Sequence, residues 1–461
     1  MNIILAYLVI NSPQDTRYNY GLGYVASVLK KNGYDVTYIP LKTTEDMALF
    51  YDQARRLKPR IIGFSATTSQ FNYLHDISRK IKEESQAFIV CGGIHPTLEP
   101  GCLYDIPELD AVVRGEGEFA MLELADALRD NKPVNGIRNI WVKESGRTQK
   151  NELRPLISRL DELPFPDKES LDYQRVIDDS RGLDRFIFSR GCAFSCAYCS
   201  NKALSDLYRD SGPYLRTESP ERAVEEIRRD ASRYRFSEVC FDDDIISLNK
   251  KWFYGFFGLY RKEFKYPFLC NIRPNTVDED MIRILKDAGI KMAVVRIEHG
   301  NEPFRRTVLK RDITDSQIKE TFRLFKKYNI AYTGQIMVGF PFENKRLFLD
   351  TVRLCRELDI RPPQNISVFY PYPGTALGRL CAENGWMPEK RFYRERSEAV
   401  ISYPTFSKKE IRLCTRAFSI LLGNKNISLK MPLNLVRYYH KWFGKEPIWN
   451  TWTARLKKRE R

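Results

Sequence analysis

The sequence predicts an α/β protein of two consecutive units. The first is an open flavodoxin- or Rossmann-like sheet, the second a partial (β/α)6 barrel of the TIM type, followed by a small helical C-terminal region. Three observations carry this reading. Short apolar runs alternate with helix-period segments over residues 1–140 and again over 184–390. The runs are apolar on both faces, as buried parallel strands must be. Between the two blocks lies the proline-bearing stretch "LDELPFPDKE", which suits a linker. The expected boundaries are therefore 1–140, a linker at 141–183, 184–390, and a helical, basic region at 391–461.

In order along the first unit, "NIILAYLVI" reads as a strand and "GLGYVASVLKKNG" as a helix stopped by Gly33. Next come the strand "DVTYIP", the helix "TEDMALFYDQARRLK" and the strand "RIIGFSA". "FNYLHDISRKIKEES" reads as one helix, "AFIVCGG" and "AVVRGEG" as strands, and "FAMLELADALRD" as a helix. Ligands of such sheets bind beyond the carboxyl ends of the strands. The turns to watch are thus "NSPQDTRYNYG", "SATTSQ", "GGIHPT" and "RGEGE". In the second unit the strands read "RFIFSR", "EVCFDD", "FLCNIRP", "AVVRIEHG", "YTGQIMVGF" and "QNISVFYPY", with helices such as "PERAVEEIRRDASR" between them. Reactive residues of a barrel lie at the C-terminal ends of its strands.

Composition bounds the function. With 43% apolar residues in 461, the chain can bury large cores. Ten cysteines are too sparse for a disulfide scaffold and suit a reducing compartment, so a cytoplasmic location is expected. "MNIILAYLVIN" lacks a basic leader and reads as a buried first strand, and no apolar run is long enough to span a bilayer. The net charge of +16 favours anionic partners, but apart from the tail it is scattered, as on a solvated surface, which argues against nucleic acid.

The densest chemistry lies in "FSRGCAFSCAYCSNK", where Cys192, Cys196 and Cys199 form C-x-x-x-C-x-x-C. A structural zinc site wants four closed ligands, usually two C-x-x-C knuckles, and no second knuckle is near. A redox C-x-x-C pair leaves Cys192 unexplained. Three thiolates fit three corners of a four-iron cluster, with one iron open to chelate the amine and carboxylate of a small amino acid. An iron–sulfur site is the favoured reading. Zinc, or a group of plain buried thiols, is the alternative.

The loop "CAFSCAYCSNK" resembles that of the radical S-adenosylmethionine (SAM) superfamily, with the usual aromatic, Tyr198, before the last cysteine. The resemblance implies a [4Fe–4S] cluster on the three cysteines and SAM on its open iron. It also implies an external electron donor of flavodoxin or ferredoxin type. "VCFDDDII" resembles the family's second strand end, which places Asp243 and Asp244 near the SAM ammonium. The alternative for Asp244 is a helix N-cap. "RIEHGNE" resembles the fourth strand end, with Glu298 accepting from the ribose. No role is carried onto His299. "GQIMVGFPFE" resembles the next turn, with Gly339 and Pro341 shaping the adenine pocket, and "YPYPGT" matches the sixth strand end.

The turns "SATT", "GGIHPT" and "RGEGE" resemble those of the cobalamin-binding domain found in a subclass of these enzymes. The resemblance implies that Ser65 and Thr67 donate to the nucleotide tail. Gly92 and Gly93 would let the backbone approach the cofactor, and Gly115, Glu116 and Gly117 would border the tail pocket. A phosphate-binding or empty flavodoxin-like domain is the alternative. The chain lacks the D-x-H-x-x-G motif whose His coordinates cobalt from below. Its four His stand at 75, 95, 299 and 440, and His95 reads as a turn residue. The expected state is a cobalamin with no His beneath the cobalt.

The resemblance implies an enzyme that methylates an unactivated carbon of a small molecule or lipid. Three alternatives stay open: a cyclase or rearrangement enzyme with the same cofactors, a non-catalytic corrinoid-binding protein, and a tRNA-modifying methylthiotransferase. The last needs a second cluster on three N-terminal cysteines, and only Cys91 and Cys102 are present there. The tail "KWFGKEPIWNTWTARLKKRER" has three Trp and seven Lys or Arg against two Glu. It suits peripheral contact with a membrane surface, a solvated C-terminus being the alternative.

Overall fold

The computed structural model describes residues 1–10, 12, 18–144, 146–362, 366–387 and 396–436. The loop 13–17 and the tail 441–461, both singled out in the sequence, lie outside the described residues.

Fifteen strands are described. β1 (Asn2–Leu8), β2 (Asp35–Leu41), β3 (Ile61–Ser65), β4 (Phe88–Gly92) and β5 (Ala111–Val113) form a parallel sheet in the order β2-β1-β3-β4-β5. Side chains alternate across a strand, so each strand feeds two cores. Ile3 and Leu5 of β1 pack against Leu22, Val25 and Met121 of helices Tyr20–Lys31 and Glu118–Arg129. Ile4 and Ala6 pack on the opposite face against Phe50, Ile77 and Ile81 of helices Thr44–Leu57 and Leu74–Glu84. Each such fully buried aliphatic side chain contributes about 1.5–3 kcal/mol. The segment read as one helix from Phe71 is broken, with a separate turn at Thr68–Phe71 before Leu74–Glu84.

The sheet also runs on past residue 140. β6 (Ile140–Glu144) and β7 (Arg147–Lys150) add an antiparallel hairpin to the β5 edge, in a stretch read from sequence as linker. β6 alternates buried with half-buried or exposed residues, so only its apolar side meets the core, and β7, at the sheet's edge, buries none of its residues.

The second sheet holds β8 (Leu183–Phe186), β11 (Glu238–Phe241), β12 (Phe268–Ile272), β13 (Ile290–Glu298), β14 (Ala331–Val338) and β15 (Ile366–Val368). All six are parallel, and apart from β9 and β10 below they are neighbours in chain order, which is the partial barrel expected. Its outer face is aromatic. Phe186, Phe241 and Phe268 meet Trp252, Phe256, Phe257 and Tyr260 of helix Lys250–Glu263. The run "RFIFSR" is two strands rather than one. After β8 the chain leaves the sheet, and β9 (Ser189–Arg190) pairs with β10 (Arg216–Thr217). Helix Lys408–Gly423 is no appendage. Its Ile411, Cys414 and Phe418 lie in the barrel core, and Arg356 donates to the carbonyls of Leu421, Asn424 and Ile427 at its end.

The linker is anchored by a buried lysine. Lys168 pairs with Asp230, and its Nζ lies 3.7 Å from Asp184 Oδ1 and 4.0 Å from Glu226 Oε1. Burial opposes its charge, but the three carboxylates outweigh that and hold the ammonium above its usual range. No helix among the described residues is long and apolar enough to cross a membrane.

Candidate functional site

A cavity of about 450 Å³ lies between the two sheets, at the carboxyl ends of β1, β3 and β4. One wall is made by the post-strand turns of the first sheet. Ser65, Thr67, Gly92, Gly93, Gly115, Glu116 and Gly117 all line it. The facing wall is Ile187–Gly191, which leads directly into Cys192, together with Leu204, Tyr208 and Arg216. Much of the remaining surface is apolar, from Leu5, Val25, Val90, Val113, Met121 and Leu160.

Two glycines here leave no room for a side chain. Gly93 has φ +100°, and a Cβ would stand 2.9 Å from the Ala66 carbonyl oxygen. Gly115 has φ +72°, and a Cβ would fall 1.6 Å from Tyr208 Oη of the opposite domain. Thr97, which sequence reasoning passed over, ties the two turns together. Its hydroxyl donates to the Gly93 carbonyl at 2.7 Å and accepts from Gly115 N at 2.9 Å. None of the three described His lines the cavity. His95 lies in the short helix Ile94–Leu98 with its ring on Phe71, and His75 is on an exposed helix face.

The Glu116 carboxylate is consumed by the domain interface. It accepts from Arg190 Nη1 at 2.9 Å, from Arg216 Nη1 at 2.9 and 3.1 Å, and from Ile157 N at 2.7 Å. Glu118 accepts from Arg190 Nη2 at 2.6 Å. The cysteine loop is thereby fastened to the first domain two residues ahead of Cys192. Its far half is pinned within the barrel, where Ala197 N donates to the Leu309 carbonyl and Leu377 N to the Ala197 carbonyl, both at 2.9 Å.

Cys196 is buried, and Cys192 and Cys199 are half-buried. Burial pushes the Cys199 thiol up to about 12, and Cys192 also rises. Among the described residues no three His, Cys, Asp or Glu side chains are gathered closely enough for a single metal ion. The corners of a four-iron cluster are spaced more widely than the ligands of one ion. The donor set fits such a cluster: three free thiols on one loop, with the guanidinium groups of Arg273 and Arg311 3.6 and 3.7 Å from Cys196 Sγ.

The two acids of the second strand end both brace this loop. Asp243 accepts from Phe188 N at 3.1 Å and from the Ser189 hydroxyl, while its Oδ2 has no partner among the described residues. Burial pushes its carboxyl up to about 7. Asp244 accepts from Asn201 Nδ2 at 2.7 Å, just beyond Cys199. Glu298 ends β13 with φ +68°, a strained conformation for a residue with a side chain, at a register shift against β14. It is buried, and its charge acts on Arg311 and Tyr198. The Tyr198 ring packs 5.6 Å from Phe340. The Gly339–Pro341 turn is closed by Glu343, which accepts from Gly339 N at 2.7 Å and Phe340 N at 3.0 Å. His299 is fully buried, with Nε2 3.4 Å from the same carboxylate. Glu343 and Arg273 stand inside quoted motifs, "GFPFE" and "FLCNIRP", but their spacing alone does not single them out.

Comparison with known proteins identifies both domains. A family model described as the B12 binding domain matches residues 7–125, and one for the Radical SAM superfamily matches residues 186–355. An uncharacterized methyltransferase of Pyrococcus horikoshii is 31% identical over 370 residues, 79% of this chain and 78% of that one. The anaerobic magnesium-protoporphyrin IX monomethyl ester cyclase of Rubrivivax gelatinosus is 28% identical over 379 residues, 77% of this chain and 65% of the cyclase. The structure of the radical S-adenosylmethionine methyltransferase TsrM from Kitasatospora setae shares the fold. Its TM-score is 0.66 at 17% identity, over 83% of this chain and 76% of that one.

Proposed function

Because the chain belongs to the radical SAM enzymes that carry a B12-binding domain, we propose that it is a methyltransferase acting on an unactivated carbon of a small molecule or lipid. The observation that carries this reading is the shared cavity: the glycine turns of the first domain face the Ile187–Gly191 segment across one space.

In this reading residues 1–140 hold the corrinoid and 184–390 the cluster and SAM, joined by 141–183. Ser65, Thr67 and the turns at Gly92–Gly93 and Gly115–Gly117 would hold the corrinoid. Cys192, Cys196 and Cys199 would hold the cluster, with Asp243, Asp244, Glu298 and the Gly339–Pro341 turn around SAM. When bound, the cluster with SAM supplies a carbon-centred radical and the corrinoid a methyl group.

The protein's own task is placement. Glu116 and Glu118 fix Arg190 and so set how far the cysteine loop stands from the first sheet. A misplacement of about 1 Å between reacting centres costs on the order of a hundredfold in rate. The apolar lining keeps water from a reactive intermediate. No His is among the described lining residues, so the side chains that would hold the corrinoid offer it no imidazole.

The test is anaerobic reconstitution with iron, sulfide, cobalamin, SAM and a flavodoxin- or ferredoxin-type donor, in the presence of extract from the native host. The expected result is a metabolite gaining one methyl, with S-adenosylhomocysteine formed alongside. The cyclase relative supports a second reading, ring closure with the same cofactors, for which 5′-deoxyadenosine forms without S-adenosylhomocysteine. If neither product forms, catalysis is excluded under these conditions and a corrinoid-binding role is left.

A further inference from the structure

Two arginines from separate elements converge on one sulfur. Arg273 follows β12, and its Nη1 lies 3.6 Å from Cys196 Sγ. Arg311 follows helix Glu302–Thr307, and its Nη1 lies 3.7 Å from the same atom. They are 2% and 3% exposed. Both are held in place. The Arg273 guanidinium lies 3.6 Å over the ring of Phe194, inside the cysteine loop, and its Nε donates to Asn275 Oδ1 at 2.8 Å. Arg311 donates through Nη2 to the Arg296 carbonyl.

Two buried guanidinium groups repel one another, and burial penalises each of them. Such a pair is stable only beside an anion. Glu298 acts on Arg311 and offsets part of the charge, while Arg273 faces Cys196, Arg311 and Tyr198. The remaining positive charge is directed at a cysteine sulfur. That sulfur would be a thiolate in the cluster reading, on which this inference rests.

We propose that Arg273 and Arg311 are positioning residues that donate N–H···S hydrogen bonds to Cys196 and raise the reduction potential of the cluster it ligates. The step concerned moves one electron from an external low-potential donor into the cluster core, taking it from the 2+ to the 1+ state with no bond made or broken. With three thiolates the net charge of the site goes from one negative to two. The added charge lies beside two fixed cations in a low-dielectric interior, so the reduced state gains more than the oxidised one.

The experiment uses the full chain, anaerobically loaded with iron and sulfide and free of SAM. The reduced cluster is followed by electron paramagnetic resonance during titration with titanium(III) citrate. In Arg273→Gln and Arg311→Gln the reduced-to-oxidised ratio at a fixed potential should fall about tenfold, equivalent to about 59 mV for one electron. Arg273→Lys and Arg311→Lys keep the charge but lose the fork, and should shift the same way by a smaller, resolvable amount. Unchanged potentials in iron-loaded Gln variants overturn the assignment, even if SAM binding weakens, since the arginines would then serve a ligand carboxylate. Where the Gln variants fail to load iron, the Lys variants decide, and wild-type potentials in both overturn it. A wild-type chain that takes up no iron sinks the proposed function itself, a result separate from unchanged potentials in loaded variants.

Discussion

Arg190 of the barrel and Glu116 of the first domain meet at 2.9 Å, and the contact falls two residues before Cys192. The same carboxylate accepts from Arg216, whose side chain is 8% exposed. Glu116 thus joins the Gly115–Gly117 turn to the cysteine loop and to Ile157, to whose carbonyl Arg216 also donates at 2.7 Å.

Glu116→Gln keeps the shape of this joint and removes its charge. Arg216 would then be left without a carboxylate in a largely buried place, while Arg190 keeps Glu118. The expected loss is about 2–3 kcal/mol of stability, below the full penalty for a deeply buried pair because Glu116 is 14% exposed. Thermal unfolding with far-ultraviolet circular dichroism checks this. Arg216→Gln in the Glu116→Gln background should cost much less than it does alone.

Gly115→Ala tests the close approach between domains. The new Cβ would overlap Tyr208 Oη at a backbone conformation that disfavours any side chain. The chain should fold, because the clash lies at the interface rather than within a core, but it should lose most of its ability to retain cobalamin through gel filtration. Adding Tyr208→Ala should restore part of that retention, since it removes the overlap and leaves the strain at φ +72°.

These contacts also mark where sequence reading stops. The strands were legible because β1 feeds two cores with alternate residues and because the turns after β4 and β5 carry glycine where the backbone requires it. The cysteine loop was legible because its ligands are local. Arg190 and Glu116 are 74 residues apart, and Arg311 and Cys196 are 115 apart, so no local pattern links them. Scattered basic residues read as solvated surface, whereas Arg273, Arg305 and Arg311 are among the most buried side chains. The hairpin β6–β7 was missed because edge strands show little of the all-apolar character that marks the inner ones.

Asp243 gives a dependence on pH with a definite sign. Its carboxyl titrates near 7 in the fold because of burial, against about 3.9 in the unfolded chain. Between those values the folded state binds more protons, so stability falls as pH rises from 4 to 7, by at most about 1.4 kcal/mol per unit from this group. Asp243→Asn keeps an oxygen to accept from Phe188 N and has nothing to ionise. Urea denaturation of the metal-free protein at pH 4.5–7.5 should give a flatter profile for the variant. Parallel profiles would contradict the burial argument.

Lys168→Met removes the cation paired with Asp184, Glu226 and Asp230 at the linker, while Arg222 still acts on Glu226. Met fills much of the same volume, so packing against Tyr173 and Phe186 survives and the loss is electrostatic. Burial already pushes Asp184 up to about 6 and raises Glu226 further, with Lys168 opposing both shifts. Without the lysine, these acids must take up protons or repel one another in the interior. The expected cost at pH 7.5 is about 3–5 kcal/mol. Below pH 6 protonation of Asp184 and Glu226 should recover part of it. The opposite trend, a variant more stable at high pH than at low pH relative to wild type, would show that the lysine does not hold these carboxylates ionised. Thermal unfolding of both proteins across pH 5.5–8 separates the two outcomes.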